Sequence, residues 1–98
     1  MTVHTPTTTA LALHPNVAVR PEPFGALAYH YDTRRLVFLR HPALVDVVNA
    51  LADHDDVAAT FDALAVEDRL RGPFERAIAN LIDAGIVVER DTHEDHRS

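Results

Sequence analysis

The chain has 98 residues, 47% hydrophobic and 24% charged, with 15 acidic side chains against 9 basic ones and a formal net charge of −6. A polypeptide of this size forms one domain and buries roughly 60–65% of the surface its unfolded chain exposes, which leaves little material for a deep catalytic cavity. The absence of cysteine excludes disulfides and thiolate metal sites, and the acidic balance repels phosphate backbones, so neither a nucleic-acid nor a membrane partner is expected.

Residues 1–14 are threonine-rich without apolar periodicity and are expected to form a flexible N-terminal tail, as are residues 91–98, "DTHEDHRS", at the other end. The domain is placed over residues 15–90. The apolar run Ala10–Leu13 is too short for a signal sequence or a membrane span, and the chain is expected to be cytoplasmic.

"NVAVRPEP" is a weak strand, its two prolines suited only to an edge or a kink. From Ala26 to Tyr31 small and large residues alternate, with Leu27, Tyr29 and Tyr31 on one face and Ala26, Ala28 and His30 on the other. Asp32, Thr33 and Arg34 supply turn chemistry, and "RLVFLR" completes an antiparallel hairpin. Pro42 then opens a helix to Asp53 whose only polar positions, Asp46, Asn49 and Asp53, form a narrow stripe, so most of its circumference is buried. Asp55 or Asp56 caps a shorter helix with Val57, Phe61 and Leu64 on one face. Pro73 starts the clearest helix, 73–84, with Phe74, Ala77, Ile78, Leu81 and Ile82 at helical spacing and Gly85 at the left-handed cap. "IVVE" follows as a short extended return. This order describes an α+β, winged-helix-like domain, a three-stranded antiparallel sheet followed by three helices.

The chemistry is sparse. Helix 73–84 carries Glu75 and Asp83 against Arg76, a sum of −1, the wrong sign for a groove-reading helix; a winged-helix transcription regulator is the alternative this argument sets aside. The only serine is Ser98, and with neither cysteine nor lysine present no nucleophile has a pocket to work in; no enzyme activity, cofactor or metal is expected. His93 and His96 lie in a polar tail without an apolar shell, and His30 and His41 receive no role. What remains is the edge of "RLVFL": no further strand follows to pair with it, so the backbone between Leu36 and Arg40 is expected to stay free as a template for another chain.

"HPNVAVRPEPFGALAYHYDTRRLVFLRHPALVDVVNAL" and "FERAIANLIDAGIV" resemble the MftB family of mycofactocin biosynthesis peptide chaperones, a PqqD-type recognition element of ribosomally made peptide natural products. The resemblance covers residues 15–88. It implies a non-catalytic chaperone that binds the mycofactocin precursor peptide and presents it to a radical S-adenosylmethionine (radical SAM) maturase, with the iron–sulfur chemistry belonging to that partner. It also implies that the peptide adds a strand beside Arg35, Leu36, Val37, Phe38, Leu39 and Arg40 and lies along the last helix, at Phe74, Ala77, Asn80, Leu81 and Ala84. If Phe74, Ile78 and Leu81 face the core, the flank Ala77, Asn80 and Ala84 leaves space for a peptide; the opposite flank, Glu75, Ala79 and Ile82, competes with it.

Overall fold

The computed structural model describes residues 10–90. Its order is β1 (Leu11–Leu13), β2 (Val17–Glu22), β3 (Gly25–His30), β4 (Leu36–Leu39), α1 (Pro42–Ala50) with a 3₁₀ turn (Leu51–Asp53), α2 (Val57–Ala63), α3 (Asp68–Asp83) and β5 (Val87–Glu89). The expected α+β class is observed: β2, β3 and β4 form a three-stranded antiparallel sheet and three helices follow it.

The alternation in β3 sets the layers. Ala26, Ala28 and His30 turn inward, and Ala26 and Ala28 are small enough for the sheet to sit close against α1. Between β2 and β3, Pro23 and Phe24 make a two-residue turn that pairs Glu22 with Gly25. At Gly25 a side chain would land on the Leu39 carbonyl oxygen, so glycine is required for β4 to close against the start of β3.

α1 is the central helix. His41 caps it by accepting the Ala43 N–H on Nδ1 at 3.1 Å, Pro42 occupies the first turn, and Leu44, Val47, Val48 and the following Leu51 are buried, with Asp46 and Asn49 exposed as the wet stripe. Asp56 rather than Asp55 caps α2, accepting the Ala59 N–H at 2.8 Å. Val57 and Phe61 are buried, whereas Leu64, expected on the same face, lies just past the helix end and is exposed.

Two boundaries differ from the sequence expectation. The last helix begins at Asp68, and Pro73 sits inside it. The proline loses one bond to the Arg69 carbonyl, on an exposed residue where water can replace it. The extra turn is tied down by Arg71, which donates from Nε to the Val66 carbonyl at 3.0 Å and from its guanidinium to Asp62 at 2.9 Å. Gly85 closes the helix as expected, at φ 78°, with Gly85 N–H donating to Ile82 O and Ile86 N–H to Leu81 O.

The second difference is at the N-terminus. Leu11–Leu13, expected within the tail 1–14, is a strand paired antiparallel with β5, and Leu11 is 1% exposed. Arg90 fastens it, donating from Nε to the Leu11 carbonyl at 3.0 Å and from its other arm to the His54 carbonyl. Residues 1–9 and 91–98, the remainder of the two expected tails, lie outside the described residues.

Two stability outcomes follow from this packing. Leu11→Ala is expected to cost about 2–4 kcal/mol in urea unfolding, the range for truncating a fully buried leucine, where a tail residue would cost nothing. Gly25→Ala is expected to cost at least about 2 kcal/mol by the same measurement, since β4 must be displaced to admit the methyl group.

Candidate functional site

Hydrogen-bond parity decides which backbone groups of the sheet are free. His30 N–H donates to Arg35 O at 2.9 Å, which makes His30 and Arg35 a bonded pair, and the register Ala28↔Val37 and Ala26↔Leu39 continues every second residue. Val37 and Leu39 therefore direct their N–H and C=O groups at β3. Leu36 and Phe38, opposite Tyr29 and Leu27, direct theirs away from it, to the open side of β4. On the far flank β3 is bonded to β2, starting with the Tyr31 N–H donating to Asn16 O at 2.9 Å, so β4 is a rim strand among the described residues. The free edge expected over Leu36–Arg40 is thus narrower at the backbone level: between Leu36 and Leu39 it consists of two N–H and two C=O groups.

The same alternation sorts the side chains. Leu39 is 2% exposed and Val37 half-buried over the core, while Leu36 and Phe38 are exposed at 55% and 41%. On α3, Phe74, Ile78 and Leu81 are buried, Ala77 and Ala84 are half-buried, and Asn80 is exposed. Of the residues expected to touch a peptide, Leu39, Phe74 and Leu81 therefore have their side chains in the core, where they hold β4 and α3 in place. The Phe74 ring meets the His41 ring edge-on at 5.2 Å, joining the first half of α3 to the cap of α1. The competing flank residues Glu75, Ala79 and Ile82 are all half-buried.

Arg35 and Arg40 are exposed at the two ends of β4, and Arg40 lies 5.3 Å over the Phe38 ring. Among the described residues neither has a carboxylate partner, whereas Arg69 and Arg71 on α3 are paired with Glu67, Asp62 and Asp68. With two of its arginines neutralised, α3 is no better suited to a phosphate backbone than its sequence suggested.

His14, His30 and Asp32 come together, with one potential ligand atom from each within 4.8 Å of the others, a juxtaposition the sequence analysis missed because His14 fell in the expected tail. The hydrogen bonds explain the cluster without a metal. His30 Nδ1 accepts the Asp32 N–H at 3.1 Å, His14 Nδ1 accepts the Asn16 N–H at 2.9 Å, and Asp32 accepts the Asn16 amide at 2.7 Å. An accepting Nδ1 places the ring hydrogen on Nε2, so neither imidazole offers a free lone pair, and the group locks the β3–β4 turn to the chain before β2.

The family model described as the peptide chaperone MftB family matches residues 10–88. The chain belongs to the MftB peptide chaperone family. It is 47% identical over 76 residues to Peptide chaperone MftB of Mycolicibacterium smegmatis, an alignment covering 78% of this chain and 74% of that protein. It is 44% identical over 80 residues to Peptide chaperone MftB of Mycobacterium tuberculosis, covering 82% and 73%. The protein of the same name from Mycobacterium ulcerans is 43% identical over 82 residues, covering 84% and 75%. No solved structure matches the chain. Among the described residues no helix is long and apolar enough to cross a membrane. The match starts at residue 10 and so takes in β1, in agreement with a domain that begins before Pro15.

His30→Ala is expected to lower stability by about 1–3 kcal/mol, because the Asp32 and Thr33 N–H groups lose their acceptor and the buried imidazole leaves a cavity, while zinc or a chelator leaves the melting temperature of the native chain unchanged. Calorimetric melting of both proteins, with and without each additive, checks this.

Proposed function

We propose that this chain is a non-catalytic cytoplasmic chaperone that binds the mycofactocin precursor peptide by strand addition to β4 and presents it to the radical SAM maturase. The observation that carries the reading is the outward backbone of Leu36 and Phe38 on a rim strand, and membership of a peptide chaperone family supports it. An added strand makes about four backbone bonds there at about 1 kcal/mol each, and side-chain contacts must offset the cost of ordering it.

Those contacts are of two kinds. Leu36 and Phe38 flank the peptide's outward side chains, and the flank of α3 at Ala77, Asn80 and Ala84 borders the inward ones, with Leu39, Phe74 and Leu81 supporting this groove from beneath. Arg35 and Arg40 pair with acidic side chains of the peptide, each exposed pair contributing about 0.2–1 kcal/mol. The maturase carries the redox chemistry; the chaperone needs only a shaped edge, in keeping with a chain that has no thiol or lysine.

Parity supplies the test. Phe38→Pro removes an N–H directed away from β3 and is expected to fold normally while weakening precursor binding at least about tenfold in calorimetric titration. Val37→Pro removes an N–H bonded to β3 and is expected to unfold the sheet. A Phe38→Pro protein that folds and binds the precursor like the native chain overturns the placement on β4. Arg35→Glu and Arg40→Glu are each expected to cost about two- to fivefold in affinity, less at high salt.

A further inference from the structure

The outer face of the sheet meets the added strand only at its β4 margin, through Leu36 and Phe38, and its β2–β3 part has no role in the strand addition described above. Leu27, Tyr29, Leu36 and Phe38 line it from β3 and β4, Ala18 and Arg20 from β2, and among the described residues no helix covers it. Tyr31, just beyond β3, is 56% exposed, and its ring meets Tyr29 edge-on at 5.4 Å. Because Ala18 is small, the face is not flat: Ala18, Arg20, Leu27, Tyr29, Tyr31 and Leu36 enclose an open concavity of about 420 Å³. That volume falls within the roughly 300–1,000 Å³ of small-ligand pockets and suits a large apolar side chain.

Charge identifies the occupant. Residues 17–40 hold Arg20, Arg34, Arg35 and Arg40 against Glu22 and Asp32, a sum of +2, while the rest of the chain sums to −8. All four arginines are exposed and, among the described residues, lack a carboxylate partner; Arg20 lines the concavity and Arg40 lies over the Phe38 ring, while Arg35, opposite His30, falls on the other side of the sheet. A second copy packed face to face on a two-fold axis would set these cations against themselves, and a copy presenting its acidic side would make a head-to-tail contact, confined to rings or open filaments, which are rarer than two-fold dimers. Both arrangements are disfavoured. The complementary partner is a protein segment with a large apolar anchor flanked by carboxylates.

The face and the edge are also independent in direction. Side chains on the face stand perpendicular to the sheet, while the free N–H and C=O groups of β4 lie in its plane, so a peptide on the edge leaves the concavity open. Resting on the function proposed above, we infer that the outer face docks the maturase through such an acidic, apolar-anchored segment while the precursor occupies β4.

The test uses Arg20→Glu and Tyr31→Ser, both exposed and both away from the peptide edge, checked for native melting. Each is titrated with precursor peptide alone and then, saturated with peptide, with the maturase. Peptide binding within twofold of the native chain together with at least tenfold weaker maturase binding is the expected result. Unchanged maturase affinity in both variants overturns the inference. So does loss of peptide binding in both, which would assign the face to the peptide, or native self-association in sedimentation that the variants abolish, which would assign it to a second copy. A native chain that binds the maturase but not the peptide would sink the proposed function and leave the face standing.

Discussion

The saturation of β3 is the constraint on which the rest of the molecule depends. Its residues bond alternately to β2 and β4, so both flanks of the central strand are committed and β4 is left as a rim. Gly25 permits one end of that closure and the histidine-bonded turn at Asp32 and Thr33 fixes the other. Because the register is pinned at both ends, the parity of β4 is pinned too. A slip of one residue would exchange Leu39 with Phe38 and turn the core side of the strand to solvent.

A long, flat apolar edge is a hazard for any protein. Here the exposed strand is only four residues long and bordered by Arg35 and Arg40, which discourages pairing between copies of the chain yet suits an acidic visitor. Arg40 also lies against the apolar outer face, over the Phe38 ring. Edge and outer face thus both carry exposed arginines, whereas the chain outside residues 17–40 sums to −8.

Much of this was legible locally. Alternation over Ala26–Tyr31, the proline and polar stripe of α1, and Gly85 after an amphipathic run each identify an element because side-chain periodicity and backbone chirality act within a few residues. The misread boundaries share a different cause. Pro73 is a good helix start in isolation, but Arg71 reaches back to Val66 and Asp62 and stabilises the turn before it. Leu11–Leu13 is too short to declare itself a strand, and it becomes one only because β5, nearly eighty residues later, arrives beside it and Arg90 bonds its carbonyl. The His14–His30–Asp32 cluster was invisible for the same reason.

By itself the sequence determined the α+β class, the hairpin, the buried helix and a strand with no successor to pair with, because each is encoded by residues adjacent along the chain. Only the tertiary structure decided that the open edge offers Leu36 and Phe38 rather than every residue of β4, that Leu39, Phe74 and Leu81 belong to the core, and that the chain's first strand closes the domain. Those outcomes depend on register and on contacts between distant segments, and a linear pattern does not state which of two alternating sets of groups faces which neighbour until the neighbours are in place.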